Sequence, residues 1–252
     1  RTLIPIFGAL AAILLGVGVY LSFFGSPPDY QQGETIRIMY VHVPAAYMAM
    51  ALYAALAVAS FVYFVWRHAL ADTAAEVIAP IGAVFTVLAL FTGSLWGKPM
   101  WGTWWEWDAR MTSVLVLFFL YLGYVALWQV MEDDTKAAKA SSILAMVGVI
   151  NVPIIKFSVD WWTTLHQPAS IIRMGGPTVD SSMLVPLFIM IGAYSFYFVF
   201  VLIWRIQAEM TERRIEAALS QNMMDQMMQA MQGEEGGGQE GGRQQNADHD
   251  PL

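Results

Sequence analysis

The chain has 252 residues, of which 57% are hydrophobic and only 13% charged, with a net charge of −7. Soluble domains carry about a quarter charged residues, so this composition excludes an ordinary water-soluble fold and indicates a polytopic membrane protein. No cysteine is present, which excludes disulfides, thiolate metal sites and thioether attachment of a cofactor.

Crossing about 30 Å of hydrocarbon takes roughly 20 mostly apolar residues. The sequence predicts six such spans, at about 3–24, 44–66, 76–95, 111–130, 140–158 and 182–204. The first is too long for a signal-peptide core and lacks a small-residue cleavage site, so it reads as a retained helix with Pro5 in its first turn. The predicted fold is all-α, with residues 1–205 forming a six-helix membrane domain. Residues 206–252 hold nine acids and three bases, which leaves the membrane portion near neutral. That tail reads as a cytoplasmic helix carrying Met224, Met227, Met228 and Met231 at helical spacing, followed by a disordered acidic Gly/Gln stretch. The methionine stripe suits a docking face and a marginal surface helix equally. No basic cluster suggests nucleic acid.

Trp66, Trp128 and Trp204 each close a span at one membrane face, beside Arg67, Lys136, Lys139, Arg205, Arg213 and Arg214. Counting Arg1, that face has seven Lys/Arg against five in the opposite loops, so both termini are expected in the cytoplasm. Six spans place the loops 25–43, 96–110 and 159–181 together on the other side, whichever way the chain is inserted. Every unusual residue cluster falls there.

The middle loop is the densest: Trp96-Gly-Lys-Pro-Met-Trp101-Gly-Thr-Trp104-Trp105-Glu-Trp107-Asp108-Ala-Arg110. So much indole surface is costly in water and must lie against the bilayer, a flat apolar ligand, or both. Gly97 and Gly102 permit close backbone approach. An interfacial helix among lipid headgroups explains the rings, but not the accompanying Gly, Asp and Arg. The stretch Gly93-Ser-Leu-Trp-Gly97-Lys98-Pro99 is one residue short of a phosphate-binding loop, and Pro99 stands where a magnesium-holding hydroxyl belongs, so nucleotide hydrolysis is not expected.

His42-Val-Pro44 and His166-Gln-Pro168 share a pattern in which a proline two residues on starts a helix, placing the imidazole at or just before its first turn. Either histidine alone reads as an interfacial hydrogen-bonding residue. As a pair beside an aromatic platform they also suit axial ligation of haem iron. Zinc, with an oxygen from Asp108 or Asp160, is the competing metal. For a porphyrin, Arg37, Lys98, Arg110 and Arg173 are the candidates to pair with the two propionates. Spans two, three, four and six carry no Asp, Glu, Lys, Arg or His between their ends, unlike ion pumps and quinol-coupled oxidases. Asn151, Pro153 and Lys156 interrupt the outer half of span five, which reads as a broken helix walling a pocket, with Lys156 snorkelling to the surface.

The run Trp96–Thr112 resembles the tryptophan-rich "WWD" signature of haem-handling proteins. Together with the six spans and the contexts Met39-Tyr-Val-His42-Val-Pro44 and Trp161-Trp-Thr-Thr-Leu-His166-Gln-Pro168, the chain is similar to the haem exporter protein C family of bacterial cytochrome c maturation over roughly residues 1–205. That resemblance implies His42 and His166 as axial ligands to transient, non-covalent haem b at the periplasmic face of the inner membrane. It implies a haem platform comprising Trp96, Gly97, Pro99, Trp101, Gly102, Trp104, Trp105, Trp107 and Asp108. It further implies delivery to a periplasmic haem chaperone, within an ABC-type complex of a cytoplasmic ATPase, a second multispan subunit and a small single-span subunit. The chain itself is then a haem-transfer protein rather than an enzyme. A haem-translocating subunit and a non-haem structural subunit are the rival readings.

Overall fold

A computed structural model describes residues 2–167, 170–171 and 175–247, with side-chain surroundings given to residue 229. Arg173, Pro168 and His249 lie outside the described residues, as does the side chain of Met231. The helices are α1 (Leu3–Tyr20), α2 (Met39–Trp66), α3 (Ala69–Trp101), α4 (Ala109–Val130), α5 (Asp134–Gly148), α6 (Asn151–Trp161) and α7 (Ser181–Ala247). A π-helical turn, Leu21–Gly25, ends α1, and a 3-10 turn, Glu34–Ile38, leads into α2. Among the described residues six helical stretches are long and apolar enough to cross a membrane, with α5 and α6 together forming one. The chain divides into two compact units, Arg1–Ile206 and Gln207–Leu252.

Four features differ from the sequence reading. The predicted loop 96–110 is half helix: α3 runs on through Trp96, Pro99 and Trp101. Its stop signal is Gly102, whose φ of 78° takes the left-handed conformation while its N–H caps the Lys98 carbonyl. Pro44 does not start α2. The helix begins at Met39 because the 3-10 turn has already set its direction, so His42 lies within its first turns and Pro44 inside it. His166 also starts no helix, since the described residues from Trp162 to Asp180 are irregular. In the second unit, α7 continues to Ala247 through the Gly/Gln/Glu-rich stretch whose composition predicts disorder.

The break in span five falls where the sequence puts it. Pro153 has no N–H to give the carbonyl of Val149, and α5 ends at Gly148 while α6 starts at Asn151. Asn151 Nδ2 donates to the Ser113 carbonyl at 2.8 Å, pinning the new start against α4.

Within the first unit, α2 lies along α3 through buried alanines such as Ala45, Ala49, Ala75, Ala79 and Ala89. In lipid the hydrophobic effect does not drive helices together, so close backbone approach across small residues must supply the packing. Tyr121 of α4 is fully buried and donates from Oη to the Ala49 carbonyl at 2.8 Å, satisfying in the interior a hydroxyl that water cannot reach. Gly82 leaves the space that this ring occupies. Upper turns of α2, α3, α4 and α7, with α6, then surround a cavity.

Candidate functional site

That cavity, about 360 Å³ in volume, is lined by both His42 and His166. Most of its wall is apolar, including Val43, Met50, Val114, Leu117 and Ile191, and its charged members among the described residues are Arg110 and Lys156.

His42 projects from α2 toward α3. Its Nδ1 lies 3.0 Å from the Ala89 carbonyl and 3.2 Å from Thr92 Oγ1. A carbonyl only accepts, and the Thr92 hydroxyl gives its own proton to the Leu88 carbonyl at 2.6 Å. Nδ1 is therefore the protonated nitrogen and Nε2 keeps its lone pair. Gly93 makes the approach possible, because a Cβ there would stand 2.9 Å from His42 Cε1.

His166 reaches the same arrangement by other means. Its Nδ1 lies 3.0 Å from Asp108 Oδ2, an oxygen that also accepts from the Thr164 hydroxyl. Asp108 is the N-cap of α4 and takes the Met111 N–H on Oδ1 at 2.7 Å. Burial alone would push the Asp108 carboxyl up. Hydrogen bonds from Thr164, Met111 and His166 outweigh it and hold the group below the usual carboxylate range. An ionised carboxylate cannot donate, so His166 Nδ1 carries the proton. Burial lowers the His166 pKa below 6.5 despite the opposing pull of Asp108, which keeps the ring neutral at pH 7. Among the described residues no hydrogen bond engages Nε2 of either histidine.

Each imidazole meets one indole. Trp96 approaches His42 edge-on with ring centroids 5.8 Å apart, and Trp101 approaches His166 at 4.8 Å. Trp96 is itself fixed by donating Nε1 to Gln32 Oε1 at 2.9 Å. Of the sequence-predicted platform, the structure brings Trp96, Gly97 and Trp101 into the cavity wall. Pro99, Gly102, Trp104, Trp105, Trp107 and Asp108 do not line it. Trp104 and Trp107 are 54% and 73% exposed, facing outward.

The cation candidates separate likewise. Arg37 is spent on Glu34 and the Ser22 carbonyl, away from the cavity lining. Lys98 donates to the Gly102 carbonyl at 2.9 Å and lies over the Trp104 ring. Arg110 lines the cavity, anchored to α6 through Ser158 Oγ at 3.2 Å. Arg173 is outside the described residues.

Thr92, Gly93, Thr164 and Gln32 belong to the site although the sequence did not single them out for it, whereas Lys156 lies in the pocket wall that the interruption of span five suggested. One signal was present: Ala89, Gly93 and Gly97 recur every fourth residue and all line the cavity, a ridge of small side chains along α3.

Two imidazoles line one apolar cavity, each hydrogen-bonded through Nδ1 and with no bond to Nε2 among the described residues, which is the supported arrangement a pair of metal-ligating histidines requires. Among the described residues no group of three or more His, Cys, Asp or Glu gathers as a closed metal site would need. The donor set fits a metal that arrives with most of its ligands already supplied. A sequence profile described as "Heme exporter protein C" matches residues 1–221. The chain belongs to that family. A heme exporter protein C from Bradyrhizobium diazoefficiens is 51% identical over 247 residues, covering 98% of this chain and 91% of the relative. The one from Haemophilus influenzae is 48% identical over 206 residues, covering 82% and 84%. That of Escherichia coli strain K12 is 50% identical over 184 residues, covering 73% and 74%. The family match spans all of α1 to α6, and the cavity lies wholly within it.

Proposed function

We propose that this protein holds haem b between His42 and His166 at the periplasmic face of the inner membrane and hands it to a periplasmic haem chaperone for cytochrome c maturation. One observation carries the reading: two histidines 124 positions apart enter one apolar cavity with Nδ1 engaged and Nε2 free. The name shared by the relatives supports the cargo, and the edge-on indoles of Trp96 and Trp101 support a flat apolar ring beside the imidazoles.

The site's own residues divide the work. His42 is held on a helix by neutral acceptors, and His166 is held on an irregular segment by a carboxylate. Trp96 and Trp101 exclude water from the imidazoles, and Arg110 offers a cation to the cargo's acidic side arms. The cavity lies among α2, α3, α4, α6 and α7, and the non-helical wall that carries His166 is the side from which the cargo would be handed on. ATP hydrolysis is then the task of a partner subunit in an ABC-type complex that also contains a second multispan subunit and a small single-span one.

The test is spectroscopic. The chain is purified in detergent with haem available, and absorption and electron paramagnetic resonance spectra are recorded beside those of the His42→Ala/His166→Ala double variant. A low-spin bis-imidazole signal in the wild type that vanishes in the variant is the expected outcome. Its persistence in the double variant overturns the ligand assignment.

A further inference from the structure

The cavity holds two cations. Arg110 is partly committed: Nε donates to Ser158 Oγ at 3.2 Å, and Nη2 donates to the carbonyls of Ile155 at 3.5 Å and Lys156 at 3.3 Å. Nη1 makes no hydrogen bond among the described residues. The bond to the Lys156 carbonyl ties the guanidinium to the backbone of the residue that carries the second cation. Lys156 lines the cavity and is exposed, and among the described residues its ammonium makes no salt bridge or hydrogen bond. Asp160, one helical turn further along α6, forms no ion pair with it among those residues. An ammonium in the outer half of an apolar span is costly unless its head reaches water or an anion. Among the described residues the cavity is lined by these two cations and by no carboxylate, and since Asp108 and Asp160 act on the charge of Arg110 from outside the lining, it is Lys156 that is left without a charge partner.

We infer that Lys156, paired with Arg110, is the subsite for the carboxylates of the cargo, so that the cavity selects a metalloporphyrin with two free acid side arms over the same ring in neutral form. This rests on the haem reading above. It gives Lys156 a role distinct from snorkelling, and it assigns that role to neither Arg37 nor Lys98, whose donors are engaged elsewhere.

The experiment compares iron protoporphyrin IX with its dimethyl ester, titrated into the full chain in detergent, for the wild type, Lys156→Gln and Lys156→Arg. Low-spin absorbance reports occupancy. A charge-assisted hydrogen bond in a partly desolvated site corresponds to roughly a tenfold change in affinity. The wild type is expected to prefer the free acid over the ester. Lys156→Gln should lose about tenfold affinity for the free acid, bind the ester as the wild type does and keep the low-spin line shape. Lys156→Arg should restore most of the preference. If Lys156→Gln keeps the full preference for the free acid, the lysine is only snorkelling and the inference is overturned. If the wild type gives no low-spin spectrum with either porphyrin, the haem reading fails, and the subsite with it.

Discussion

His166 donates its Nδ1–H to Asp108 Oδ2 at 3.0 Å, across 58 residues of chain. The aspartate in question closes the tryptophan run and caps α4, so one carboxylate orders a helix start and an imidazole together. His42 has only a backbone carbonyl and a threonine hydroxyl behind it. A carboxylate partner makes an imidazole the stronger donor to a metal, so as the proposed ligands the two histidines would be electronically unequal.

Asp108→Asn tests that inequality. Asparagine is as good an N-cap as aspartate, so α4 should keep its start. The negative charge behind His166 is lost. Bound haem should remain low-spin, its reduction potential should rise, and its affinity should fall by about 10- to 100-fold. Potentiometric titration of the variant beside the wild type measures the shift, and an unchanged potential would show that the carboxylate does not act through the imidazole.

Much of this site could be read along the chain, and the unread part shares one cause. The six spans, the break at Pro153 and the histidine pair were legible because apolar run length, a missing N–H and a repeated local pattern are properties of neighbouring residues. Asp108 looked like part of an aromatic platform, but it stands behind His166. Its partner lies 58 positions away, and no local pattern encodes which helix face meets which. The tryptophan run looked like a single surface. Two of its indoles enter the cavity wall because α3 continues to Trp101, and that extension depends on one left-handed glycine at 102. His42 was found, but the neighbour that admits it, Gly93, lay inside a rejected phosphate-loop motif.

The pH response of the apo-protein follows from the direction of the His166 shift. Burial sets its folded pKa below the 6.5 expected of the unfolded chain. Below pH 6.5 the unfolded state therefore binds more protons than the folded one. This histidine should leave stability unchanged above about pH 6.5 and diminish it as the pH falls from there toward the folded pKa. Thermal unfolding of the wild type and His166→Gln between pH 7.5 and 5 checks this. The wild type should lose stability faster on acidification, and parallel curves would contradict the shift.

Gly93→Ala probes how tightly His42 is held. The new Cβ would sit 2.9 Å from Cε1, closer than real contacts allow, so the ring must move away from Ala89 and Thr92. Alanine is the better helix former by about 1 kcal/mol, so α3 itself is not weakened. The expected spectrum is a mixture of low-spin and high-spin haem with the His166 side intact. Gly16→Ala is the control, since a Cβ there meets nothing within 4 Å. If both variants give wild-type spectra, the His42 ring is free to adjust and its fixed tautomer has no consequence for ligation.

The tryptophans should divide into two functional sets. Trp96 and Trp101 touch the histidines edge-on and line the cavity, whereas Trp104 and Trp107 are more than half exposed and line none of it. An aromatic contact contributes about 0.5–1.5 kcal/mol beyond the area it buries, so losing the contact and the water exclusion together should weaken haem retention by roughly tenfold or more. Trp96→Ala and Trp101→Ala are expected to show that loss, and Trp104→Ala and Trp107→Ala are expected to retain haem as the wild type does. The outward pair has the exposure and position of rings at a membrane–water boundary, where indoles are enriched. Quenching by brominated lipids in reconstituted vesicles should therefore be reduced by Trp104→Ala and Trp107→Ala and left nearly unchanged by Trp96→Ala. Equal loss of haem in all four single variants would instead mean that the whole run closes over the cargo, with the outward rings turning inward when it binds.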